Sequence, residues 1–150
     1  MLDKRNFYIN GKWVSPSKPN NFEVIDPSTE EPFAIISLGS IEDTDKAISA
    51  AKNAFETWRE SSKEKRLSLL EKFDQIYNRR WDEMVKAQST EMGAPLDYAS
   101  ETHTKMGADI SKNTIKILKD FNFEHQFDSK SNNHIRYEPI GVCGLITPWN

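Results

Sequence analysis

The sequence has one cysteine in 150 residues, which excludes an internal disulfide framework. A reducing, cytoplasmic setting is therefore the expectation. No apolar run approaches the roughly 18 residues that would suggest a membrane-spanning helix. The charged start, Asp3-Lys4-Arg5, has no apolar segment behind it, so a secretory signal is not expected. The formal net charge is only -3, which leaves no electrostatic footprint for nucleic acid or an anionic membrane. Neither a GxGxxG turn nor a P-loop occurs. The three histidines, His103, His125 and His134, lack ligand spacing and a second cysteine, so no metal site is expected.

What is present divides into three stretches. Residues 1–38 read as hairpins. In Phe7-Tyr8-Ile9-Asn10-Gly11-Lys12-Trp13-Val14, Asn-Gly between two β-prone arms predicts a type I′ turn. Such a hairpin can bind a ligand or be purely structural, and the structural reading is the simpler. A Pro/Ser/Asn-rich link, Ser15 to Asn21, leads to a strand over Phe22–Asp26. Pro27 to Glu31 forms the turn, and Pro32 to Leu38 returns.

Residues 40–121 read as helices. Ser40 is a candidate N-cap, and Glu42 and Asp43 suit a first helical turn. Ala47, Ala51, Ala54, Phe55 and Trp58 form one stripe. Ser61 or Ser62 caps a second helix with the stripe Leu67, Leu70, Phe73, Ile76 and Tyr77, and Asn78-Arg79-Arg80 is a candidate break. Trp81, Met84, Val85, Gln88 and Met92 mark a third, ended by Gly93 and Pro95. A fourth is expected from about Leu96 to Phe121, burying Tyr98, Thr102, Met106, Ile110, Ile117, Leu118 and Phe121. Gly107 inside it favours close helix packing. Asn122 to Asn133 reads as a polar, mobile connection. The many acidic and basic residues of these helices read as a solvated surface.

Residues 134–147 read as strands. Gly141 to Thr147 is mostly apolar, as expected of a strand covered on both faces. It stops at Pro148, followed by Trp149 and Asn150. Open α/β sheets place ligands at such carboxyl ends. Cys143 invites a nucleophile reading, but its neighbours Val142, Gly144 and Leu145 make an inert core thiol the simpler one.

Glu138-Pro139-Ile140-Gly141-Val142, followed by Thr147-Pro148-Trp149-Asn150, resembles the signature of the NAD(P)-dependent aldehyde dehydrogenase superfamily. Ile9-Asn10-Gly11-Lys12-Trp13, Asp26-Pro27-Ser28-Thr29 and Glu91-Met92-Gly93-Ala94-Pro95 resemble further elements of it. The resemblance implies an α/β fold. This chain would be the helix-rich N-terminal part, with β-hairpins and the first strand of a Rossmann-like cofactor domain, and without the catalytic domain. It also implies oxidation of a small-molecule aldehyde to a carboxylic acid. A cysteine thiolate attacks, hydride passes to NAD or NADP, and water releases the acid from a thioester. In that reaction the Asn150 amide would help hold the oxyanion, and Ile146, Thr147, Pro148 and Trp149 would flank the nicotinamide half. The nucleophilic cysteine, the general-base glutamate and the phosphate-binding turn would lie further along the family's chain. By the same resemblance, the helix with Tyr98, Thr102, Met106 and Ile110 would carry part of the substrate channel. The Tyr137-Glu138-Pro139 region would join contacts in a homo-oligomer. The 150 residues by themselves are expected to be inactive. The alternative is a non-catalytic module that pairs its strands with another chain.

Overall fold

A computed structural model describes residues 1–130 and 132–147. Its β-structure begins with three strands in the order β1-β5-β4: β1 (Leu2–Lys4), β5 (Glu31–Ser37) and β4 (Asn21–Asp26). β4 and β5 pair antiparallel, with Val24 opposite Ala34 and a register shift after Val24. β1 lies parallel to β5, Leu2 opposite Ala34. This pairing of the N-terminal arm was not expected, because Leu2-Asp3-Lys4 has no β pattern of its own.

β2 (Phe7–Ile9) and β3 (Lys12–Val14) form the expected hairpin. Asn10 and Gly11 take φ of 52° and 75°, the two positive values a type I′ turn requires. Tyr8 and Trp13 face each other across it, with ring centroids 5.2 Å apart.

α1 (Ile41–Trp58) begins at Ser40, whose hydroxyl accepts the Asp43 N–H while the Asp43 carboxylate accepts the Ser40 N–H. This reciprocal capping box satisfies two helix-end donors at once. α2 (Lys63–Arg79) is capped by Ser62 in the same sense, its hydroxyl accepting the Lys65 N–H. α3 (Trp81–Met92) ends at Gly93, with φ of 71°. A side chain there would be strained and would lie 2.9 Å from Pro27 Cγ, so the glycine also seats α3 on the β4–β5 turn.

The fourth helix is not one α-helix. It runs as α4 (Leu96–Tyr98), a π segment (Ala99–Thr104) and α5 (Lys105–Asp120). Its buried positions are Ala99, Thr104, Ala108 and Ser111, so the small residues face inward. Most of the expected core stripe faces out: Tyr98, Met106, Ile110, Ile117 and Phe121 are exposed, while Thr102 and Leu118 are half-buried. The inner side packs on two helices, α5 against α2 and the π segment against α3, and at Gly107 the approach is so close that Tyr77 fills the space over the glycine.

Two further expectations change. The stretch 122–133 contains β6 (Glu124–Gln126), paired antiparallel with β7 (His134–Arg136). Its polar residues gave no alternation to read. Conversely, no residue between 137 and 147 is in a strand. An apolar run becomes a strand only when another strand takes its backbone bonds, and among the described residues none lies beside it.

The core is small. Ala34, Ala99 and Ala108 are the buried apolar residues among those described. The accessible surface is 11872 Å² for 17.3 kDa. A compact monomer of that mass exposes about 7,800 Å², so roughly 4,000 Å² is in excess.

Candidate functional site

The sequence places the site at residues 146–150. Ile146 and Thr147 end the described chain, and both are exposed, Ile146 at 97%. Pro148, Trp149 and Asn150 lie outside the described residues. Leading into the site, Tyr137 N–H donates to the Phe123 carbonyl at 2.8 Å, which extends the β6–β7 ribbon by one bond. Tyr137 also packs against Phe121, ring centroids 5.4 Å apart. After that the chain leaves the ribbon, and Ile140 and Leu145 stand in the open.

Cys143 is exposed rather than buried. Its Sγ lies 3.8 Å from the Gly141 carbonyl, a weak contact. The expectation of a core thiol fails with the strand, since without a neighbouring strand nothing covers the residue. No cation of the kind that activates a thiolate is paired with it in the described structure.

The helical rod carries the residues for which the resemblance implies a substrate channel, and no contact joins them to Ile146 or Thr147 among the described residues. Tyr98, Met106 and Ile110 stand on its outer face at 54%, 57% and 59% exposure. His103 packs edge-on against Tyr98 at 5.0 Å. Tyr77 hydroxyl donates to the Thr104 carbonyl at 3.1 Å, and Trp81 Nε1–H donates to Ser100 Oγ at 3.0 Å. Burial raises the Tyr77 pKa, which keeps its hydroxyl protonated and a donor. Sequence reading missed this inner pair of contacts. The one available signal was Gly107, a glycine inside a helix opposite an aromatic stripe.

Elsewhere, a cleft of about 760 Å³ lies between the N-terminal arm and the first hairpin, lined by Asp3, Arg5, Trp13 and Pro16 among others. It shares no residue with 146–150 and is the gap that the β1 arm leaves beside Trp13. Arg5 holds the Asp3 carboxyl down to about 2 through two side-chain hydrogen bonds, at 2.9 and 2.6 Å. Both groups are solvent-exposed, so the pair adds little stability. Among the described residues no group of three or more His, Cys, Asp or Glu side chains could hold a metal ion. No described helix is long and apolar enough to cross a membrane.

Residues 13–150 match the model of the Aldehyde dehydrogenase family. The chain belongs to that family. The match takes in both the hairpin Trp13 and the closing Thr147-Pro148-Trp149-Asn150. A 3-succinoylsemialdehyde-pyridine dehydrogenase of a Pseudomonas species is 43% identical to this member over all of its length, and the chain spans 31% of that relative. The crystal structure of an aldehyde dehydrogenase from Bartonella henselae superposes with a TM-score of 0.86 at 49% identity, over 88% of this chain and 28% of that one. A variant of aldehyde dehydrogenase C from Pseudomonas syringae, in complex with NAD+ and octanal, superposes with a TM-score of 0.79 at 31% identity, over 81% of this chain and 25% of that one. The mixed α/β architecture is thus that of aldehyde dehydrogenases, and the chain spans about a third of the length of such a relative.

Proposed function

We propose that this chain supplies one wall of the active site of an NAD(P)-dependent dehydrogenase that oxidises an aldehyde to a carboxylic acid through a cysteine thioester. The observation that carries the reading is the family match through residues 13–150, which includes the four residues that end the chain. In this reading the 150 residues are an incomplete N-terminal part: hairpins over 1–38, helices over 40–121, strands over 134–147 once neighbouring strands pair with them. The catalytic cysteine and glutamate come from polypeptide outside these residues.

Asn150 acts as the oxyanion donor. A carboxamide N–H held in place before the reaction stabilises charge as it develops and needs no reorganisation. Ile146, Thr147, Pro148 and Trp149 form the side of the cofactor cleft next to the nicotinamide. Ile146 fits that role: an apolar side chain left 97% exposed is surface for a planar ring to cover, and the Thr147 hydroxyl beside it can accept or donate a hydrogen bond. When bound, the dinucleotide accepts a hydride. The outer face of the helical rod contributes to the aldehyde channel. The complete enzyme is a cytoplasmic homo-oligomer.

The decisive assay follows NADH or NADPH formation with an aldehyde series. The 150-residue chain alone yields none, whereas the complete polypeptide carrying it turns over, and Asn150→Ala removes most of the rate. Turnover by the isolated chain, or full activity in the Ala variant, would overturn the proposal.

The surface excess favours a second reading, a non-catalytic module whose open ribbon and helix face pair with another chain. Size-exclusion of the 150 residues separates the two ideas. A compact monomer that binds no other chain counts against the module.

A further inference from the structure

The rod from Leu96 to Asp120 changes its winding once. Lys105 N–H reaches back to the Ser100 carbonyl, an i→i+5 bond. A turn closed that way takes more residues than an α turn and rotates the helix back. The rotation matters because Tyr98, Met106 and Ile110, all exposed, and the half-buried Thr102 recur every four positions. In a pure α-helix each step of four drifts about 40°, so Tyr98 and Ile110 would stand roughly 120° apart. The wide turn between Ala99 and Thr104 offsets part of that drift and brings them toward one line.

Neighbouring helices hold this turn at both ends. Trp81 of α3 donates to the Ser100 hydroxyl at its start, and Tyr77 of α2 donates to the Thr104 carbonyl at its end. Gly107 completes the seat. A Cβ there would overlap the Tyr77 hydroxyl and lie 3.0 Å from the ring carbon that bears it. The glycine is thus what lets the hydroxyl reach Thr104. A π segment tied by two side-chain donors and packed over a glycine is held in one setting.

We propose that Tyr77 is a positioning residue for aldehyde selection: by anchoring the π turn at Thr104 it aligns Tyr98, Thr102, Met106 and Ile110 into one face of the substrate channel. This rests on the functional reading above. Tyr77 touches no substrate. It acts through the angle between the two halves of the rod, and a long aldehyde that spans both halves senses that angle more than a short one.

Tyr77→Phe in the complete enzyme tests it, with propanal and octanal compared under steady state. The preference for octanal in kcat/KM falls about fivefold, as expected for one lost hydrogen bond of ordinary strength. The change sits in KM for octanal, while kcat for propanal is unchanged. Backbone amide exchange over residues 104–110 accelerates in the same variant. Trp81→Phe, which releases the other end of the turn, shifts the preference in the same direction. Faster exchange with unchanged preference would make Tyr77 a purely structural residue and overturn the inference. Unchanged exchange would overturn it too, because the bond would not be holding the turn. An inactive wild-type enzyme removes the functional reading together with this one. An active enzyme whose preference does not move removes only this one.

Discussion

The Asp43 carboxylate accepts the backbone N–H of Ser17 at 2.8 Å, across 26 positions of sequence. The same carboxylate takes the Ser40 N–H at 3.0 Å and the Ser40 hydroxyl at 2.7 Å. One side chain therefore caps α1 and fastens the link after the first hairpin to it. Lys46 adds to the junction from the next turn, donating to the Ser17 hydroxyl at 2.8 Å.

That junction predicts a pH dependence. The Ser40 and Ser17 backbone donors hold the Asp43 pKa well below its ordinary 3.8. A depressed folded-state pKa contributes stability that is fully present above the unfolded value. The contribution is lost as pH falls below 3.8 toward the folded value. Asp43→Asn should lower Tm by several degrees at neutral pH, with a gap that narrows in acid. Thermal melts at neutral pH and near pH 3 read this directly. A gap that stays constant across that range would show that the charge does not matter.

Ser40→Ala isolates the cap from the tether. It removes the hydroxyl that accepts the Asp43 N–H and leaves Ser17 bound. The expected loss is about 1 kcal/mol, which moves Tm by about 2–4 °C in a domain of this size. Denaturant titration measures it. A neutral outcome would mean that water replaces the hydroxyl at no cost.

Gly93→Ala tests the seat of α3 on the turn at Pro27. It combines a left-handed backbone at φ of 71° with a Cβ 2.9 Å from Pro27 Cγ. The conformational part alone costs on the order of 1 kcal/mol, and the overlap adds to it. A Gly93→Asn variant should be less damaged than Ala, because Asn tolerates the left-handed region better. The ranking Gly, Asn, Ala in Tm is the checkable result, and an Ala variant as stable as the parent would refute it.

Cys143 is the single cysteine, and it is exposed in the 150-residue chain. A thiol reagent should modify one equivalent at the same rate with and without denaturant. Protection in native buffer, relieved by denaturant, would show that residues around 143 become covered, as a paired strand would cover them.

Local chemistry was legible in the sequence wherever a residue type dictates a backbone state. Asn10-Gly11 specified its turn, Ser40 its helix start and Gly93 its helix end, while the start of α2 was narrowed to Ser61 or Ser62 and proved to be Ser62. The family signature at 138–142 and 147–150 was legible as well. Features set by neighbours distant in sequence were not. Leu2-Asp3-Lys4 is a strand because β5 offers an edge, and Glu124–Gln126 because β7 does. Gly141–Thr147 has the composition of a strand, and no partner strand lies beside it among the described residues. On the fourth helix, the large apolar residues were assigned inward by hydrophobicity. The side packed on α2 and α3 is taken instead by Ala99, Thr104, Ala108 and Ser111, the small residues that a close helix approach admits. Pro148, Trp149 and Asn150 carry the sharpest functional expectation and lie outside the described residues.

The small core has a thermodynamic signature. The response of folding to denaturant and the heat capacity of unfolding both scale with the surface that unfolding newly exposes. Because so much of this chain is already exposed, it has little left to reveal. Its urea transition should be broad and its calorimetric peak shallow, even where individual caps and turns are well made. Covering the outer face of the rod, by whatever polypeptide does so, would sharpen the transition as well as raise its midpoint.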